Sequence, residues 1–291
     1  MLAHAATDIG RGRAFALHEA LDQSGALLGP LAMAAMISIS GYRLGFAVLV
    51  VPGAAAVAML GWLRRAVPNP RAYEHPSAKT STRSAADRGP GDAAGQATQP
   101  WWRFSRQFWT YTAFTALTMA GYATFGVISY HLQARHVVPD WQIPVIYAAA
   151  MGIDALAALG SGWVYDRYGL RGLIVLPVLA AVVPFLAFTT TPTLVWAGAL
   201  IWGVALGVHE STMRAAVADL IPSHRRGTGY GTFTAIYGLA WLAGGAITGA
   251  LYDTSLTGMH LFILTTQAAA LLVFLPLVTT ARPGSARTTV P

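Results

Sequence analysis

Gly160-Ser161-Gly162-Trp163-Val164-Tyr165-Asp166-Arg167-Tyr168-Gly169-Leu170-Arg171-Gly172 is a short, charged, glycine-rich stretch set between two apolar runs. Upstream, residues 143–164 carry one charge, Asp154; downstream, residues 173–190 carry none. A helix that crosses a bilayer needs about 20 predominantly apolar residues at a rise of ~1.5 Å each. Both runs are long enough, so the stretch reads as the turn of a transmembrane hairpin at the membrane face.

The rest of the chain has the same character. Its 291 residues are 55% hydrophobic and only 11% charged, with a mean hydropathy of +0.50. A soluble domain carries about 25% charged residues, so the class is an all-α polytopic membrane protein. The net charge of +7 does not point to nucleic acid, because the basic residues collect in alternate loops beside apolar runs. No cysteine is present, which excludes disulfides and thiolate metal sites. His4, Asp8, Arg11 and Arg13 precede the first long apolar run, a pattern unlike a cleavable signal peptide.

Eight spans are expected: Phe15–Ile39, Leu44–Leu63, Phe108–His131, Ile143–Trp163, Leu173–Thr189, Leu194–Met213, Gly229–Tyr252 and Met259–Thr279. A kink is expected in the second at Pro52-Gly53. Residues 64–106, rich in Pro, Ser, Thr, Ala and Gly, read as a flexible linker. The expected organisation is a two-helix bundle at 1–63, the linker, a six-helix bundle at 107–280 and a polar tail at 281–291. With the N-terminus inside, only Arg43 and Arg135 of the 19 basic residues fall outside. Both termini and the linker are therefore expected in the cytoplasm.

A weak internal repeat supports two related halves. Gly12-Arg13-Ala14-Phe15 through Gly29-Pro30 parallels Gly227-Thr228-Gly229-Tyr230 through Gly244-Gly245, and both copies enter from the same side.

Gly162-Trp163-Val164-Tyr165-Asp166-Arg167-Tyr168-Gly169-Leu170-Arg171 resembles the loop motif of the major facilitator superfamily, as it recurs between the eighth and ninth helices. The stretch from Arg11 to Pro30, with His18-Glu19-Ala20, Asp22 and Gly29-Pro30, is similar to the fifth helix of bacterial members. The resemblance implies a helical bundle of that superfamily in a bacterial inner membrane, with residues 1–63 equivalent to helices five and six. Helices one to four, and the first copy of the motif, are then expected to be missing from this chain.

The motif residues Gly162, Asp166, Arg167, Gly169 and Arg171 are read as a cytoplasmic gate, against the plainer reading of a topogenic turn. Arg167 and Arg171 suit lipid phosphate or a neighbouring carboxylate. Glu210 and Arg214, at i and i+4, share a helix face and can pair. With Asp166 they are read as the charge relay that family members use, or as a simple ion pair. Asp154 lies mid-span, where a carboxylate costs about 2.5–3.5 kcal/mol. It is read either as a coupling or substrate-contacting acid or as a hydrogen-bonding residue between helices.

His18, Glu19 and Asp22 form a protonatable cluster, or the wet end of a helix. Tyr111, Tyr122, Tyr237 and Trp241 are candidate cavity aromatics, with packing as the alternative. His209-Glu210 lacks the second histidine of a zinc peptidase, Met213 standing there. No metal, cofactor or catalytic constellation is expected, and the protein is read as no enzyme.

Two functions remain: a secondary transporter of a small organic solute working by alternating access with proton coupling, and a transport-incompetent membrane subunit that needs a partner to supply helices. Lipids, the solute and protons are the expected partners.

Overall fold

The computed structural model describes residues 11–67, 104–221 and 225–280. Within them, the side chains of 11–21, 166, 213–215, 218, 219, 226 and 278–280 lie outside the description. Among the described residues every regular element is helical: α1 (Arg11–Ser40), α2 (Tyr42–Ala66), α3 (Arg106–Ala120), α4 (Phe125–Ala134), α5 (Gln142–Tyr168), α6 (Val175–Ala187), α7 (Pro192–Leu220), α8 (Arg226–Thr254) and α9 (Leu256–Thr280). A 3-10 segment, Gly169–Ile174, joins α5 to α6. Among the described residues seven helical segments are long and apolar enough to cross a membrane, and the protein is an integral membrane protein.

The chain divides into two compact units, Met1–Arg103 and Phe104–Pro291. In the first, α1 and α2 form a hairpin reversed at Gly41, whose φ of 78° suits glycine alone among common residues. The close contact at Gly45 places α2 against Met33 and Ile37 of α1. Helix α2 runs through Pro52 without a break in its assignment.

In the second unit, α3 and α5–α9 pack around a core containing Phe108, Tyr111, Phe114, Phe233 and Phe274. Phe114 stacks on Phe274 at 4.2 Å, and Tyr111 on Phe233 at 5.5 Å. In hydrocarbon there is little hydrophobic drive between helices, so dispersion and close backbone approach hold such a bundle. Glycines permit that approach. A Cβ at Gly203 would clash with the Ala150 carbonyl, one at Gly207 with that of Asp154, and one at Gly244 with that of Ala120.

Two expectations need correction. The span expected at Phe108–His131 is not one helix: α3 stops at Ala120, residues 121–124 are non-helical, and α4 begins at Phe125. Thr124 caps α4 by accepting from the Val127 N–H. The stretch at Gly160 is also not a loop, because α5 continues to Tyr168 and the reversal falls at Gly169, with φ 59°. Small residues are at home in membrane helices, which is why Gly160 and Gly162 stay helical. The linker expectation is trimmed at its edges, since α2 ends at Ala66 and α3 starts at Arg106. Residues 68–103 lie outside the described residues.

His131 of α4 ties three segments together at the end of the bundle away from the Gly169 reversal. Its Nε2 lies 2.9 Å from the Thr189 carbonyl and its Nδ1 2.8 Å from the Tyr252 hydroxyl. A carbonyl only accepts, so Nε2 carries the proton and Nδ1 accepts from Tyr252.

Candidate functional site

The break between α3 and α4 organises the candidate site. Non-helical backbone at membrane depth is tolerated only where its polar groups are satisfied, and here partners are supplied from three directions. The Trp202 indole Nε1 of α7 donates to the Ala123 carbonyl at 2.8 Å. The Tyr122 hydroxyl donates back to the Trp202 carbonyl at 2.6 Å. Gln267 of α9 donates through Nε2 to the Thr118 carbonyl at 3.0 Å. Within the break itself, the Gly121 and Tyr122 amides donate to the Leu117 and Met119 carbonyls.

Aromatic rings gather on this break. Tyr122 stacks on Trp202 at 5.7 Å, Phe125 lies 5.3 Å from Trp202, and Tyr147 of α5 lies 4.7 Å from Phe125. Two acids sit beside them. Asp154, two turns below Tyr147 on α5, is 2% exposed, whereas Glu210 of α7 is exposed. Both carboxylates are close enough to the Tyr122 and Tyr147 hydroxyls to act on them electrostatically. The close contact of Gly207 with the Asp154 carbonyl clamps α5 to α7 at this level. The site therefore combines a buried acid, a second acid open to the surroundings and an aromatic wall.

His209, next to Glu210, faces the other way. It is 6% exposed, its Nε2 finds no hydrogen-bond partner among the described residues, and its ring lies 5.6 Å from that of Tyr237. With Thr118, Tyr122 and Leu206 it lines a small cavity with room for no more than about one water. A buried polar nitrogen beside a cavity is a place where water is held or a proton received.

The sequence candidates distribute unevenly over this geometry. Asp154, Tyr122 and Glu210 come together, and Tyr237 reaches the group through His209. Trp241 is half-buried on α8 with its Nε1 unbonded among the described residues. Tyr111 is elsewhere, in the aromatic core against Phe233. Asp22 is exposed on α1, while the side chains of His18 and Glu19 lie outside the described residues.

The gate reading is covered only in part. Gly162 is half-buried, Arg167 and Arg171 are exposed, and Gly169 makes the reversal. The side chains of Asp166 and Arg214 lie outside the description, and with them the charge relay. Three contributors were not read as such from the sequence: Trp202, Gln267 and His209, the last weighed only against a zinc-peptidase motif. A histidine and a glutamine inside apolar spans were the available signal for two of them; nothing local distinguishes Trp202.

The chain is 46% identical over 275 residues to proteins of Mycobacterium bovis and of two strains of Mycobacterium tuberculosis, each described as an uncharacterized protein. The match covers 94% of this chain and 64% of each relative, so the chain spans rather less than two thirds of their length. No solved structure matches it significantly. The family model described as Major Facilitator Superfamily matches residues 1–245. A match over most of the chain, on a helical membrane protein, places this chain in the Major Facilitator Superfamily.

Proposed function

We propose that the protein acts in secondary transport, moving a small organic solute across the membrane by alternating access, with proton coupling at Asp154. The carrying observation is the placement of Asp154: 2% exposed inside a span, yet beside Tyr122, Tyr147 and the exposed Glu210. A carboxylate held there ionised is costly, so its proton occupancy is sensitive to what fills the neighbouring space. Solute and proton then bias the same pair of bundle packings, which is the thermodynamic requirement for coupling. The rings of Phe125, Tyr147 and Trp202 supply an aromatic wall for an amphipathic solute. His209 is a second protonatable group in reach of Tyr122 and Tyr237.

The membership in the superfamily supports secondary transport in general, and the finer roles are tested by substitution. Asp154→Asn, in this chain and in a longer relative reconstituted in liposomes, is expected to abolish acceleration of solute uptake by an imposed pH gradient. It should leave exchange of solute between the two sides intact. Uptake with an unchanged pH-gradient response removes Asp154 from the coupling step.

One observation favours a second reading, a membrane subunit that needs a partner to supply helices. The spans of α1 and α2 are almost wholly exposed, with Leu28, Val50, Val51, Leu60 and Trp62 each more than three-fifths accessible. Uptake by this chain only when a further helical fragment is co-reconstituted would select that reading.

A further inference from the structure

The end of α5 and the start of α6 carry a feature that transport chemistry does not use. A groove of about 200 Å³ lies between α5, the 3-10 segment, the start of α6 and α7, lined by Ala157, Gly160, Val164, Leu173, Val175 and Val204 among others. Ser161 and Thr212 also border it, but their hydroxyls are spent inside the bundle. Ser161 Oγ bonds Ser211 and donates to the Ala158 carbonyl, and Thr212 donates to that of Val208. The wall it offers an occupant is therefore apolar. Gly160 leaves room in it, since a Cβ there would meet nothing within 4 Å.

The groove lies at one end of two spans. Gln142–Tyr165 and Gly169–Ala187 are the spanning segments, and Tyr165 and Gly172 both border the groove. Arg167 lies in the short connection between those spans and Arg171 in the first turn of the second, both exposed and at headgroup level. The Arg167 guanidinium lies 5.7 Å from the Trp163 ring centroid and 5.9 Å from that of Tyr168, and both rings are more than half exposed. Exposed Trp and Tyr belong at the membrane–water interface, and a guanidinium held against them is placed for a phosphate. Asp166, Arg167 and Arg171 together leave one net positive charge at this level.

From this we infer that the α5–α6 groove is a binding site for one anionic phospholipid, its phosphate on Arg167 and Arg171 and one acyl chain lying along Gly160 and Val164. An acyl chain suits a groove that offers only carbon and starts at headgroup level. A basic rim selects an anionic headgroup over a zwitterionic one. The inference is independent of which solute the protein moves.

The test uses the full chain, purified in detergent, stripped of lipid and titrated with phosphatidylglycerol or with phosphatidylcholine of the same chains, read by native mass spectrometry. One phosphatidylglycerol should be retained where phosphatidylcholine is lost. Arg167→Gln and Arg171→Gln should each weaken phosphatidylglycerol retention about fivefold, the worth of one basic residue near an anionic surface, while Arg167→Lys restores most of it. Gly160→Phe, which fills the groove rather than the bundle, should weaken both lipids. A photoreactive acyl chain on phosphatidylglycerol should crosslink to residues 157–164 in the unsubstituted protein, a readout that needs no variant to fold. Equal retention of the two lipids, crosslinks elsewhere, or a protein dimer that displaces lipid and is abolished by Gly160→Phe would each overturn the assignment.

Discussion

Trp202 of α7 accepts from the Tyr122 hydroxyl and donates through its indole to the Ala123 carbonyl, and the value of each bond depends on what its loss leaves behind. Tyr122→Phe deletes a donor, and the Trp202 carbonyl retains its place in the α7 helix. Thermal or denaturant unfolding of the purified protein should register a loss of about 1 kcal/mol. Trp202→Phe strips the Ala123 carbonyl of its indole donor in a non-helical segment at membrane depth. That should cost more, about 1–3 kcal/mol for the stranded acceptor, with lost packing against Tyr122 and Phe125 added. Equal effects of the two substitutions would mean the break is held by packing rather than by these bonds. Asp154 was legible in the sequence because a carboxylate in the middle of an apolar run always needs an explanation. Trp202 was not, because its partner is 79 residues away and a tryptophan in a membrane span looks like any other apolar ring.

At the scale of helices, the same substitution should act with opposite sign at different glycines. Gly203→Ala and Gly244→Ala place a methyl group on the backbone carbonyls of Ala150 and Ala120 and force α5 from α7, or α3 from α8. Each should destabilise the protein by about 1–3 kcal/mol. Gly160→Ala meets open space on an exposed face of α5 and should be neutral or stabilising by up to about 1 kcal/mol, through backbone entropy alone. Unfolding midpoints of the three variants test the ordering, and a destabilised Gly160→Ala would place that face inside a packed interface. Spacing of apolar residues made the helices themselves legible, including the hairpin around Gly169. The break at Gly121–Thr124 was not legible, because Gly121 is an ordinary residue in a membrane helix. The break exists through its surroundings: the Gly121 Cα sits against Thr266 and Gln267, Trp202 bonds the Ala123 carbonyl, and Gln267 bonds the Thr118 carbonyl in the last turn of α3. Such support is assembled by tertiary packing and leaves no local signature.

For the molecule as a whole, the absence of cysteine makes single introduced thiols clean reporters. A cysteine introduced into the stretch at residues 68–103 should react with an impermeant maleimide from the cytoplasmic face only, as the distribution of basic residues requires. Reaction from the outside would invert the orientation. The family was legible from the reversal at Gly169 and its flanking residues, whereas the solute depends on a cavity whose shape no motif encodes. Alternating access is the central claim, and Trp241, mid-span on α8 and half-buried, is placed to report it. Trp241→Cys, in this chain and in a cysteine-free longer relative, would be exposed to impermeant maleimide from one side at a time. Alternating access requires labelling from each side, with the two rates moving in opposite directions as the pH is lowered and with that dependence lost in Asp154→Asn. Labelling from one side only, at a rate indifferent to pH, would contradict it.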